Sequence, residues 1–363
     1  MIDKKIKDKV DCVGCYACTN ICPLNCISMN IDSEGSWYPK VDYDRCLYCE
    51  KCIDVCPTLN YKVIKNDPIA YACINKNETV RIESSSGGLF SLIAEKIIDD
   101  GGVVFGAGFN ENFEVVHSYV DNKEELEKFR GSKYVQSNIG KSFSKVKEIL
   151  ESGRKVLFSG TPCQIAGIKS FLGKSYENLL CIDVICYGVP LPDVWEKYLR
   201  YREKAEGSLI KKISFRNKNE GWRQFSMSIL FEDGTEYIKN FEEDYYLKAY
   251  TQNLTLRLSC YACNFKTLHR QSDITIADFW GIENIFPELD DDRGTSLIFI
   301  NSTYGRFIFE QIKDKILFKK VDIYEAVKYN PAAIKSAPYN PKREKFLKEL
   351  NCDNFDQVVK KYC

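Results

Sequence analysis

Two runs of four cysteines open the chain: Cys12-x2-Cys15-x2-Cys18-x3-Cys22-Pro23 and Cys46-x2-Cys49-x2-Cys52-x3-Cys56-Pro57. This is the C-x2-C-x2-C-x3-C-P spacing that wraps a [4Fe–4S] cluster. Three thiolates at i, i+3 and i+6 on one short loop can hold three corners of a cubane. The fourth, just ahead of the proline, swings away to the other cluster. The expected ligand sets are therefore Cys12, Cys15 and Cys18 with Cys56, and Cys46, Cys49 and Cys52 with Cys22. Disulfides would need an oxidising compartment, and zinc favours paired C-x2-C or Cys/His sets rather than two runs of four. Clusters set close together make a wire, so the spacing points to one-electron transfer. Cys26 lies outside the pattern and reads as a buried thiol.

Four more cysteines fall at expected loop positions. Cys163 follows a strand and opens a helix, Cys186 ends a strand, and Cys260 and Cys263 form a C-x2-C pair. Strand ends of an α/β sheet converge on one crevice, so these four can surround a third [4Fe–4S] cluster. The other reading is a C-x2-C pair for zinc or dithiol chemistry beside two buried cysteines. Cys73, Cys181, Cys352 and Cys363 read as single thiols. Ser84-Ser85-Ser86-Gly87-Gly88 precedes a helix and can present backbone N–H groups to a phosphate. It lacks GxGxxG and the P-loop lysine, and a plain helix cap explains it as well. Gly131-Ser132-Lys133-Tyr134-Val135-Gln136-Ser137 suits a cofactor contact or a turn equally. The two histidines, His117 and His269, are too isolated for a triad or a zinc site and read as structural or surface residues.

The elements that must position these residues follow from the whole chain. It has 363 residues, enough for a small module and one or two larger domains, and 51 acidic against 51 basic side chains. That balance argues against a nucleic-acid partner. The first residues carry no apolar signal region, and no stretch approaches the ~20 apolar residues of a membrane span. With 17 cysteines, reduced or metal-bound thiols in the cytoplasm are expected.

The fold expected is an α+β dicluster ferredoxin module followed by an α/β domain with a mixed sheet. Residues 1–62 form the module, with a hairpin turning at Glu34-Gly35. Helix and strand patterns then alternate. Strands are expected over residues 69–74, 103–109, 155–159, 179–185, 274–279 and 297–300. Helices are expected from Leu89 to a stop at Asp100, near Glu124–Phe129, over Lys141–Glu151, from Cys163 to Phe171, over Pro190–Arg202 and over Tyr245–Gln252. Residues 209–240 carry hairpin signals with a turn at Glu232–Thr235, and residues 320–363 read as surface helices.

From Ser84 onward the chain resembles the β-subunit family of coenzyme F420-dependent hydrogenases and dehydrogenases. The matching blocks include Ser86-Gly87-Gly88-Leu89, Gly131-Ser132-Lys133-Tyr134-Val135, Gly160-Thr161-Pro162-Cys163-Gln164 and Cys186-Tyr187-Gly188-Val189-Pro190. Further on come Ser259–Cys263, Ser272–Gly281 and Gly294-Thr295-Ser296-Leu297. The resemblance divides the remainder into an N-terminal-type region, 63–150, a C-terminal-type FAD/Fe-S region, 151–330, and a helical tail, 331–363. It implies an iron–sulfur flavoprotein oxidoreductase. FAD would contact Ser86, Gly87, Gly88, Lys133, Tyr134, Gln136, Ser137, Thr161 and Asp278. Cys163, Cys186, Cys260 and Cys263 would hold the family's own cluster near the flavin. Tyr187 stands where the family usually has His, and Ala277 replaces a common Gly.

The resemblance further implies a division of labour. Single electrons would enter from a reduced ferredoxin or a redox partner and pass through the clusters to FAD, or run the reverse way. The flavin would exchange hydride with F420 or another organic substrate, since clusters carry one electron and hydride carries two. Lys133 is expected to offset negative charge on the reduced flavin or on its phosphates. The competing reading is an electron-transfer subunit with no substrate turnover of its own. A homo-oligomer is compatible with either reading.

Overall fold

The computed structural model describes residues 1–363. A ferredoxin-like N-terminal region leads into an α/β domain built on a large mixed sheet. In the first, β1 (Ile27–Ile31) and β2 (Trp37–Val41) form an antiparallel hairpin, with Ile27 opposite Val41. Asp32 shapes its turn by accepting from the N–H groups of Glu34 and Ser36 at 3.1 and 2.9 Å, an Asx turn. Gly35 supplies the left-handed residue at φ +84°.

The α/β domain begins with β3 (Ile69–Asn75), β4 (Val103–Phe109), β5 (Val115–Val120), β6 (Val156–Gly160) and β7 (Leu179–Val184). A three-stranded antiparallel sheet follows from β8 (Ile210–Asn217), β9 (Ser226–Phe231) and β10 (Glu236–Asn240). The chain then returns with β11 (Ile274–Asp278), β12 (Ser296–Ile300) and β13 (Ile316–Val321). The large sheet has the order β13-β3-β12-β11-β7-β6-β4-β5. Its centre, β4-β6-β7-β11, is parallel, and the flanking pairs are antiparallel.

Burial on both faces explains the near-continuous apolar strands. Leu157 and Leu180 face helices Leu89–Asp99 and Thr303–Ile312. Val156, Phe158 and Cys181 face helices Ser142–Glu151 and Pro162–Leu172. That second layer also takes Cys15, Tyr16 and Ala17 of the ferredoxin-like region into its core, so the two parts share packing.

Three expectations are corrected. The segment near Glu124–Phe129 is a 3₁₀ turn, Leu126–Phe129; the N–H groups of Leu126, Lys128 and Arg130 each bond to the carbonyl three residues back, at Lys123, Glu125 and Glu127. Strands β5 and β13 were not anticipated. The edge strand β13 carries Lys319 and Lys320, which break the apolar signal as edge strands commonly do. The tail is not merely superficial: Phe346, Phe355 and Val359 are fully buried beside Tyr198 and Tyr246. No helix is long and apolar enough to cross a membrane.

Candidate functional site: two cysteine loops, a third cysteine set and a cleft

The two N-terminal cysteine loops repeat one another in backbone as well as spacing. Gly14 and Tyr16 take left-handed φ of +65° and +64°, and the corresponding Tyr48 and Glu50 take +55° and +59°. Non-glycine residues pay roughly 1–2 kcal/mol for this conformation, a strain that curls the loop around its centre. Each loop encloses a small apolar cavity. One is lined by Cys12, Cys15, Cys18 and Cys56, the other by Cys22, Cys46, Cys49 and Cys52. The structure thus brings together the two cross-paired sets expected from spacing. No three His, Cys, Asp or Glu side chains are gathered tightly enough for a single ion; the ligands of a cubane stand at the corners of a larger body.

Burial pushes the Cys15 thiol up to about 12, with Cys56 and Cys12 adding to the shift, and holds Cys18 well above the ordinary thiol value. Thiols so reluctant to ionise become thiolates when a metal replaces the proton. Cys12, Cys15, Cys18 and Cys56 are all buried, whereas in the other set only Cys52 is buried, Cys22 and Cys46 are half-buried and Cys49 is exposed. The first set is therefore inner and the second outer. Cys26, outside the spacing pattern, is buried as expected but also lines the outer cavity, with its sulfur 3.3 Å from that of Cys22.

Cys163 owes its place to a helix start. Thr161 caps helix Pro162–Leu172, Pro162 takes the first position, and Gln164 completes a capping box by accepting from Thr161 N–H at 2.9 Å. Cys163 then sits in the first turn, 3.1 Å from Thr161 Oγ1. One turn on, Gly167 lies against the inner set: a Cβ there would fall 2.9 Å from Cys15 Cβ. Cys186 follows β7, Cys260 lies within the short 3₁₀ segment Leu258–Ala262, and Cys263 directly follows it. Burial raises the Cys163 thiol well above its usual value, and Cys263, Cys186 and Cys260 each raise it further, so the four share one neighbourhood. Lys266 adds a cation, its Nζ donating to the carbonyls of Cys186, Tyr187 and Ala332.

Beside this set, at the carboxyl ends of the parallel strands, opens a cleft of about 650 Å³, the position where open α/β sheets bind ligands. Cys186 and Thr161 line it. Its rim joins two loops, for Ser132 N–H and Oγ both meet Ser85 Oγ, at 2.6 and 2.9 Å. Ser86 Oγ donates to Thr295 O at 2.9 Å and Gly87 N–H to Ser296 Oγ at 2.9 Å, so the Gly294–Leu297 block buttresses the Ser84–Gly88 loop. No side chain caps helix Leu89–Asp99, whose first residues face the cleft.

Seven of the nine residues expected against a cofactor line the cleft: Ser86, Gly88, Lys133, Tyr134, Ser137, Thr161 and Asp278. Gly87 and Gln136 do not. Gly87 packs inward, where a Cβ would fall 2.5 Å from Cys73 O. Gln136 is buried and turned to the ferredoxin-like region, accepting from Arg257 at 3.1 Å. Lys133 Nζ donates to the carbonyls of Lys128, Arg130 and Gly131 at 2.9, 3.0 and 3.3 Å, and burial lowers it to about 7. Asp278 is already held by Arg216, at 2.9 and 3.3 Å, and by Trp222 Nε1, at 2.8 Å. The sequence reading missed Arg216 and His117 as cleft residues. His117 is lowered to about 4 by burial and its Nε2 pairs with Ser159 O at 3.0 Å. An isolated Arg or His carries no spacing signal that could have found either one.

Comparison with known proteins adds two family matches. Residues 153–325 match the family described as the C terminus of the coenzyme F420 hydrogenase/dehydrogenase beta subunit, and residues 11–60 match the 4Fe-4S dicluster domain. Among individual proteins, NADH-quinone oxidoreductase subunit I of Pelobacter propionicus is 30% identical over 76 residues, 19% of this chain and 41% of that protein. An uncharacterized ferredoxin of Methanocaldococcus jannaschii is 34% identical over 62 residues, 16% of this chain and 79% of that one. The match thus spans well under half of the Pelobacter propionicus protein. A chain of the F420-reducing [NiFe] hydrogenase complex from Methanosarcina barkeri aligns with a TM-score of 0.47 and 17% identity, over 82% of this chain and 93% of that one.

Proposed function

Because the chain belongs to the coenzyme F420 hydrogenase/dehydrogenase beta-subunit family, joined to a 4Fe-4S dicluster domain, we propose that it is an iron–sulfur flavoprotein oxidoreductase with FAD in the 650 Å³ cleft. When bound, the clusters supply one-electron transfer and the flavin couples it to hydride exchange with F420 or another organic substrate.

The residues divide the work. Cys22, Cys46, Cys49 and Cys52 would hold the outer cluster, where the exposed Cys49 is open to a reduced ferredoxin or another redox partner. Cys12, Cys15, Cys18 and Cys56 would hold the inner one. Cys163, Cys186, Cys260 and Cys263 would hold a third. Gly167 and Cys163 are four residues apart on one helix, about 6 Å along its axis, so the contact of Cys15 with Gly167 supports a short passage from the inner set to the third. The observation that carries the reading is that Cys186, one of the four cysteines, and Thr161, in contact with Cys163, also line the cleft.

Within the cleft, the uncapped helix start at Leu89 and the Lys133 ammonium suit the anionic phosphates of a dinucleotide. Ser86, Gly88, Tyr134, Ser137 and Thr161 shape the remaining wall. Tyr187 donates its hydroxyl to Asn253 Oδ1 at 2.7 Å. At the position where a His is usual, this chain therefore offers a fixed phenol and no imidazole base.

The test is turnover by the purified chain, given a low-potential electron donor and F420 or a comparable organic acceptor, with acceptor reduction followed optically. Catalytic reduction supports the enzyme. A chain that takes up electrons and passes them only to protein partners would be an electron-transfer subunit instead.

A further inference from the structure

Arg257 is fully buried, yet every partner it has is neutral. Its Nε donates to Cys12 O at 2.9 Å, one terminal nitrogen donates to Gln136 Oε1 at 3.1 Å, and the guanidinium lies 4.4 Å from the centre of the Tyr38 ring. The other terminal nitrogen, Nη2, has no partner. A buried cation without a counter-charge is costly, so its surroundings must supply negative charge in another form.

Its position says where. Arg257 immediately precedes the segment carrying Cys260, and Cys260 N–H donates to Arg257 O at 2.9 Å. One residue therefore joins the two loops: its side chain holds the inner cysteine loop at Cys12 O, and its backbone carbonyl holds the loop of the third set at Cys260 N–H. The charge of Arg257 also bears on the Cys260 thiol, opposing the upward shift that burial gives it. Gly14 makes room for this arrangement: a Cβ there would fall 2.3 Å from Gln136 Nε2 and 3.2 Å from the guanidinium carbon.

We propose that Arg257 tunes and couples the inner ferredoxin cluster and the third cluster, its fixed charge between the two cysteine sets favouring the electron-bearing state of both. The transfer it assists moves one electron, oxidising one site and reducing the other, with no bond made or broken. This rests on the ligand sets proposed above.

The test is an EPR-monitored redox titration of the full chain, with iron counted first in every sample. Arg257→Gln is expected to lower the reduction constant of the inner and third clusters at least tenfold, 59 mV for a one-electron couple, with the outer cluster unmoved as an internal reference. Arg257→Lys, which keeps the charge, should recover most of that shift. Gln136→Glu, nearly isosteric, neutralises the guanidinium in place and should shift the same two clusters in the same direction, which keeps the proposal testable if Arg257→Gln loses iron. Unchanged potentials in iron-replete Arg257→Gln, or in Gln136→Glu, would overturn it. So would an equal shift of the outer cluster, the sign of general loosening. Wild-type protein with about eight irons would instead mean that the third cluster is missing; the Arg257 effect on the inner cluster could still be read.

Discussion

A sulfur 3.3 Å from Cys22 makes Cys26 more than a spare thiol. Hydrogen bonds to cluster sulfurs help set reduction potentials, and an S–H donated to the Cys22 thiolate would raise that of the outer cluster. Cys26→Ala should lower it relative to Cys26→Ser, which keeps a donor; equal potentials in a redox titration would remove this role. Lys133 gives a pH prediction. Its ammonium sits near 7 without an anion in the cleft, so anion binding above that pH must also take up a proton. FAD affinity should fall as pH rises from about 7, and Lys133→Met should bind more weakly with a flatter profile; identical titrations of the two proteins would contradict this. Stability runs the other way. The folded value lies below the unfolded one, so the unfolded chain binds more protons between them, and the lysine's contribution to stability grows as pH rises above about 7. At this scale the sequence was legible wherever chemistry has a spacing. The two cysteine runs and their cross-pairing could be read from local geometry. Gln136 could not be placed, because a loop motif does not tell which of its side chains turns to a neighbouring module.

Among the elements, helix Pro162–Leu172 joins three jobs: it starts at the cleft, carries Cys163, and packs Gly167 on Cys15. Gly167→Ala sets two effects against each other. Helix propensity favours Ala by about 1 kcal/mol, but a Cβ 2.9 Å from Cys15 Cβ and 3.1 Å from its sulfur overpacks a site that costs about 1–3 kcal/mol to strain. Overpacking should win, and the variant should show a lower denaturation midpoint and less iron per chain; a midpoint at or above wild type would show that the contact is slack. The central strands were legible because burial on both faces leaves unbroken apolar runs such as Val156-Leu157-Phe158. The edge strand β13 was not, because its exposed positions hold charge. The tail's packing was missed because the apolar residues of helix Phe355–Tyr362 show one buried face but not what covers it.

At the level of the molecule, the ferredoxin-like region is docked by more than a linker. Asn20 donates to Gly140 O at 2.9 Å and accepts from Ser144 N–H and Oγ at 3.2 and 3.1 Å. Buried Arg343 pairs with Glu34 at 3.0 Å. With Tyr16 and Ala17 in the α/β core, loss of metal should be felt across the chain. Oxidative removal of iron with a chelator should lower the thermal midpoint read from the tryptophans of the α/β domain, as well as any signal from the N-terminal region. An unchanged midpoint there would mean that the two parts fold independently.

The central claim is that one chain gathers three cysteine-held clusters and a flavin cleft into a continuous path. Anaerobic purification with flavin, iron and sulfide counted per polypeptide tests it most directly. The account predicts about one FAD with about twelve irons. Iron without flavin, even after incubation with FAD, would contradict it and leave a ferredoxin-like electron carrier.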